Sequence, residues 1–350
     1  MSRLARLARR VGRKLKALTP TPKTPEPPSL PLILDAPVAP GFTTAREVWC
    51  APGFGVVVDA GGQVLGGAAR QALGFSPDLA ALPGVRVSDG GSRLILPEGA
   101  PRLARGAVVA GWGDLRNYAG FVLNTLPALV EASKAGVLAD HPLVTPPLTR
   151  WQADLLTLAG LASPLINAAP WVVLDEAVLS PPPSPVATHA MLAEVRERVL
   201  ATPGPASGAR PKLYVSRADA MNAVMVDEEG VEIELAALGY TIVRPETSST
   251  RELIGLFREA KVIVAPTGTV LANALFCAAD AQIVEIRPPG ANGLWVRDLA
   301  VLAGATWHGF DAPGEKEAPG APLDPALPPA SAFGWRADAA ALLAFLAQRS

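Results

Sequence analysis

Cysteine is nearly missing from this chain: Cys50 and Cys277 are the only two in 350 residues. Two lone thiols exclude a disulfide framework and a thiolate zinc cluster, and they fit a reducing, cytoplasmic setting. Histidine is as scarce. His141, His189 and His308 lie far apart, with no HxH or HxxxH spacing, and each reads first as a packing or surface residue rather than a metal ligand. Charged residues make up 18% against 49% hydrophobic, which excludes a largely disordered chain. No run of eighteen apolar residues exists, so no segment reads as a membrane-spanning helix. Neither half opens with a GxGxxG after its first strand, which argues against a nicotinamide-dependent oxidoreductase.

What charge there is lies unevenly. Residues 1–18 hold seven Lys or Arg and no acid, leaving 24 basic and 32 acidic residues in the rest, a net of -8. An acidic body speaks against nucleic acid as a partner, because phosphate backbones require a basic face. Within residues 2–18, Leu4, Leu7, Val11, Leu15 and Leu18 recur every three or four positions. Arg6, Arg9, Arg10, Arg13 and Lys16 fall on the other side. This predicts an amphipathic helix lying in an anionic headgroup layer, each basic residue adding at most about 1 kcal/mol. A solvated basic tail is the plainer alternative. Residues 19–40 carry eight prolines and predict an extended linker.

The rest divides in two. Over 41–205, strands are expected near 46–50, 54–58, 63–66, 84–87, 93–96 and 107–111. A helix near 117–134 follows, then a strand at 142–145, helix at 148–160, strand at 171–179 and helix at 187–201. Over 206–311 the alternation is more regular. Strands at 213–215, 240–243, 262–264 and 282–286 are separated by helices at 227–238, 249–259, after Gly268, and at 292–303. Ser249 and Glu252 have capping-box spacing. Short apolar strands alternating with helices predict a doubly wound parallel sheet. Residues 312–350 read as a Pro-rich loop and a C-terminal helix.

In such a sheet, ligands bind beyond the carboxyl ends of the strands. Arg217, after Tyr214-Val215-Ser216, can fork onto a diphosphate; the alternative is a surface arginine paired with Asp219. The turn Ala265-Pro266-Thr267-Gly268-Thr269 opens a helix whose free amides attract phosphate, with Gly268 permitting close approach and the threonines adding hydroxyls. A simple N-capping threonine is equally open. Glu285 can meet a ribose hydroxyl, or pair with Arg287 or Arg297.

These residues carry a family resemblance. The segment from Pro211 to Pro288 resembles the carboxyl half of the family 61 glycosyltransferases, a group that includes capsular-polysaccharide-type enzymes. The resemblance lies in Tyr214-Val215-Ser216-Arg217, Asp227-Glu228, Leu238-Gly239-Tyr240, Leu256-Phe257, Ala260 to Val264, Pro266, Gly268, Asn273, Phe276 and Val284-Glu285-Ile286. Upstream, Asn117-Tyr118-Ala119-Gly120-Phe121 and Leu126-Pro127 are similar to that family's Asn-Tyr-x-His-Trp…Leu-Pro segment.

The resemblance implies a GT-B-like α/β fold, two Rossmann-like domains facing across a cleft, here expected to follow the basic amphipathic helix. It implies transfer of a sugar from a nucleotide-diphosphate donor to a glycan hydroxyl, with inversion and without cofactor or essential metal; the basic helix would place this at the inner face of the membrane. Donor contacts are then expected from Ser216, Arg217, Thr267, Gly268, Thr269, Asn273 and Glu285, and acceptor-side contacts from Asn117, Tyr118 and Asn124. The chain departs from the pattern where bases are expected: Gly120 and Thr267 replace histidines, Asn124 replaces an acid, Phe121 a Trp and Ala265 a Gly. Asp114 and Asp219 are the candidate replacement bases. The alternative is a non-catalytic member that binds nucleotide or glycan, or scaffolds polysaccharide-synthesis enzymes at the membrane.

Overall fold

A computed structural model of the chain describes residues 42–52, 56–62, 94–109, 117–161, 165–167, 170–180, 189–202, 211–219, 223–316 and 333–349, with 65, 84, 86 and 87. The predicted N-terminal helix, the Pro-rich linker, Asp114 and, apart from Leu65, the strand at 63–66 lie outside these residues.

The first half contains β1 (Thr43–Ala51), β2 (Val56–Val58), β3 (Arg86–Val87), β4 (Leu94–Ile95) and β5 (Arg102–Val108). Next comes a composite helix α1, made of α-helical Tyr118–Gly120, π-helical Phe121–Thr125 and α-helical Leu126–Lys134. Then follow α2 (Val137–Asp140), β6 (Leu143–Thr145), α3 (Arg150–Leu158), β7 (Leu165–Asn167), β8 (Val172–Leu179) and α4 (His189–Ala201). The π segment has a local cause. Pro127 has no N–H to continue the α-helical ladder, and the Leu126 N–H reaches back five residues to the Phe121 carbonyl instead.

The sheet of this half is mixed. Its order is β2-β1-β8-β5-β6-β7, with β8, β5, β6 and β7 parallel and β1 antiparallel to both β2 and β8. Its first two strands form a hairpin laid onto the edge of a parallel core.

The second half contains β9 (Lys212–Val215), β10 (Val224–Met225), α5 (Glu228–Ala237), β11 (Thr241–Val243), α6 (Thr250–Glu259) and β12 (Val262–Pro266). A 3-10 helix (Thr269–Phe276), β13 (Gln282–Arg287), α7 (Trp295–Ala303), β14 (Thr306–Asp311), β15 (Gly334–Trp335) and α8 (Ala339–Ala347) complete it. The predicted capping box forms: Ser249 Oγ accepts from the Glu252 N–H at 3.2 Å, and the Glu252 carboxylate accepts from the Ser249 N–H at 2.9 Å. Here the sheet is wholly parallel, in the order β11-β9-β12-β13-β14. Counted along the chain that is 2-1-3-4-5, the flavodoxin-like doubly wound order.

Strand alternation sorts side chains to the two faces. Tyr214, Val264, Val284 and Ile286 enter a core closed by α5 and α8, with Trp335 and Leu342. Leu213, Val215, Ile263, Ala265 and Ile283 enter a larger core on the other face. That second core continues into the first half, where Phe121, Leu126, Leu155, Leu192 and Val195 pack with Phe257, Leu271 and Phe276. Among the described residues no helix is long and apolar enough to cross a membrane.

Candidate active site

In a 2-1-3-4-5 sheet the chain reverses direction of winding between its first and third strands, here β9 and β12. The residues just past these two strands are Ser216-Arg217 and Thr267-Gly268. Arg217 is directed across the crevice onto Gly268. A methyl group on Gly268 would stand 1.9 Å from Arg217 Nη1 and 2.9 Å from Cζ. Gly268 has extended backbone, at φ -178°, so glycine is required for space and not for its dihedral freedom. The space expected for a ligand is filled by the arginine stem, which brings the guanidinium to the opening of the 3-10 helix. Arg217 is mostly buried, and burial pulls its pKa below the ordinary guanidinium value, an effect opposed by Glu228 and Glu246. The alternative of a surface arginine paired with Asp219 is thereby overturned: exposed Asp219 pairs with Arg244 at 3.4 Å.

The helix after Gly268 is a 3-10 helix rather than an α-helix, and its first internal bond runs from the Leu271 N–H to the Gly268 carbonyl at 3.0 Å. The amides of Gly268, Thr269 and Val270 precede that bond. Thr267 contributes no such amide, because its N–H donates to the Ile286 carbonyl at 2.8 Å. Its hydroxyl donates to Glu285 Oε1 at 2.8 Å. Glu285 is 2% exposed, and its other oxygen accepts from Trp307 Nε1 at 3.0 Å. Burial raises the Glu285 pKa, while Thr267, Trp307 and Arg287 oppose the rise. The carboxylate expected to meet a ribose is therefore enclosed beneath the turn, where it holds Thr267.

The acceptor-side segment reaches the same short helix. Tyr118 Oη donates to Asn273 Oδ1 at 2.8 Å, and Asn273 Nδ2 donates to the Val270 carbonyl at 2.9 Å. Asn273 is fully buried and spends its amide inside the protein. Asn117 caps α1, its side chain accepting from the Gly120 N–H at 3.0 Å. Asn124 sits half-buried in the π segment. At the far end, Arg196 of α4 forks onto the Leu275 and Cys277 carbonyls at 2.6 and 2.9 Å. One eight-residue helix thus receives Arg217 at its start, Tyr118 in its middle and Arg196 at its end.

Sequence reasoning named Glu228 in the family resemblance without a site role and missed Glu232; both are buried on α5 beneath the β9 turn. Glu228 Oε1 accepts from the Arg217 N–H at 2.7 Å and from Tyr214 Oη at 2.8 Å. Their four-residue spacing on one helix face was the available signal. Among the described residues no three His, Cys, Asp or Glu side chains gather as a metal site would require.

Residues 118–284 match the model of the family described as Glycosyltransferase 61. That stretch is similar to the glycosyltransferase 61 family. The match suggests glycosyltransferase activity. The matched region begins at Tyr118, takes in Arg217, Gly268 and Asn273, and ends one residue before Glu285. No curated protein matches the chain.

Proposed function

We propose that this protein transfers a sugar from a nucleotide-diphosphate donor to a hydroxyl of a surface polysaccharide or related glycan. The reading rests on one observation: Arg217 lies on Gly268 at the switch point, beside the amides that open the 3-10 helix. A guanidinium and helix-opening amides are what a departing diphosphate needs as charge builds on its oxygens. Burial strengthens the pairing, because water does not screen it there. The proposal includes a GT-B-like cleft between the halves, inversion at the sugar carbon, and no essential metal or cofactor.

The basic residues 2–18 would hold the enzyme peripherally at the cytoplasmic face of an anionic membrane. Deleting them should move the protein from the pellet to the supernatant in sedimentation with anionic liposomes. Unchanged pelleting would sink the anchor.

A second reading has its own support. Four of the acids near the crevice are already engaged: Asp219 by Arg244, Glu232 by Ser216 and Arg244, Glu228 by Tyr214 and the Arg217 amide, and Glu285 by Thr267 and Trp307. With Thr267, Gly120 and Asn124 unable to act as bases near neutral pH, a non-catalytic nucleotide- or glycan-binding protein or membrane scaffold is the alternative. Purified protein tested for donor hydrolysis with UDP-, GDP- and CDP-sugars separates the two. Turnover abolished by Arg217→Ala supports the enzyme. Binding without turnover supports the alternative, and failure to bind any nucleoside diphosphate removes the transferase and the nucleotide-binding form of the alternative.

A further inference from the structure

Helix α5 buries two carboxylates that the donor reading does not use. Glu228 and Glu232 are 3% and 7% exposed and lie one turn apart, on a face turned toward the end of β9. Burying a carboxylate is costly unless its oxygens find donors. Three of the four donors come from one short stretch of chain, while Glu228 Oε2 has none among the described residues. Glu228 accepts from Tyr214 Oη and from the Arg217 N–H. Glu232 accepts from Ser216 Oγ through one oxygen, and from Arg244 Nη2 at 2.6 Å through the other. Ser216 Oγ in turn accepts from the Ala218 N–H at 3.1 Å. The Ser216 N–H donates to the Val243 carbonyl at 2.8 Å, one residue before Arg244.

The direction of the side chains matters as much as the bonds. Tyr214 and Ser216 point to the α5 face, and Arg217 points the other way, onto Gly268. The backbone of residues 216–218 is therefore gripped from one face so that the next side chain leaves by the opposite one. A flexible arginine stem carries substantial rotamer entropy. Fixing its root removes part of the freedom that binding would otherwise have to remove. Such a charged, buried network is a poor device for stability alone, since a packed apolar pair of the same volume does as well. Its geometry suits holding one turn in one place.

We propose that Glu228 and Glu232, with Arg244 as the countercharge of Glu232, are positioning residues that set Arg217 over Gly268 for recognition of a diphosphate. This rests on the reading of Arg217 as the diphosphate contact. The three act through the turn and not on the ligand, so their loss should reduce discrimination between a diphosphate and a single phosphate more than it reduces folding.

The test is calorimetric titration of the full chain with inorganic pyrophosphate and with orthophosphate, alongside thermal melting. The variants are Arg217→Ala, Glu232→Gln, Glu228→Gln and Arg244→Lys, with Ser216→Ala breaking the Glu232 link from its other end in case Glu232→Gln does not fold. The wild type is expected to prefer pyrophosphate, and Arg217→Ala to erase that preference. Glu232→Gln and Ser216→Ala are expected to lower it about tenfold, equivalent to about 1.4 kcal/mol, with melting curves still cooperative. Folded Glu232→Gln and Ser216→Ala proteins that keep the full preference would overturn the positioning role while leaving Arg217 in place. Equal loss for both anions, in step with melting temperature, would overturn it as a merely structural effect. A wild type blind to pyrophosphate would instead overturn the Arg217 reading, and this inference with it.

Discussion

Two side chains decide the chemistry at the crevice, and both are read through what they touch. Gly268 is the floor on which Arg217 rests, so Gly268→Ala must displace the guanidinium. Overpacking of this kind costs about 1–3 kcal/mol in stability, but the larger expected effect is on binding. Nucleoside-diphosphate affinity should fall at least about tenfold, measured by isothermal titration, and undiminished affinity would show that the arginine position is irrelevant. Glu285 offers a pH signature. Its pKa is raised in the folded protein by burial, whereas the unfolded chain holds it near the ordinary value of about 4.3. Between those values the native state keeps a proton that the unfolded state releases, so stability falls as pH rises through the window. Glu285→Gln has no such proton to lose, and Thr267 can rotate its hydroxyl to accept from the amide. Urea unfolding from pH 4 to pH 8 should therefore show the variant gaining on the wild type as pH rises; parallel curves would refute the assignment.

The 3-10 helix is where the two halves of the motif meet, and its neighbours explain its shape. Tyr118 and Arg196 seize it from the first half, and α6 and α7 pack along it. Tyr118→Phe deletes a hydroxyl but leaves Asn273 Oδ1 buried without its donor, a loss of about 1–3 kcal/mol by chemical denaturation. A change below about 0.3 kcal/mol would mean that water replaces the hydroxyl. The capping box of α6 was legible from the Ser249 and Glu252 spacing because both partners lie within one turn. Strand β14 was not legible: Thr306–Asp311 carries polar residues and Gly309, and it exists because β13 offers its edge. Likewise the 3-10 form of residues 269–276 depends on the side chains of α1 and α4, which no local pattern announces.

Across the molecule, the apolar core that begins on one face of the parallel sheet runs without interruption into the helices of the first half. Separate cores would permit separate melting. A shared one predicts a single calorimetric transition whose measured and van't Hoff enthalpies agree, and two resolved transitions would contradict it. The C-terminal helix follows the same logic. It is set apart in the chain by a Pro-rich stretch, yet Leu342 and Leu346 complete the core on the α5 face, and Trp335 donates to the Ala223 carbonyl at 3.1 Å.

Residue order alone determined the main alternation of strands and helices between residues 211 and 303 and the capping of α6. It also carried the likeness of residues 118–284 to family 61, since period, caps and short motifs are properties of neighbouring positions. The parallel pairing of β9 with β12 and the burial of Glu285 could only be decided in three dimensions. So could the meeting of Arg217 with Gly268, fifty-one positions apart. Each of these depends on which strand lies beside which, and hydrophobic pattern says that a strand is buried without saying against what.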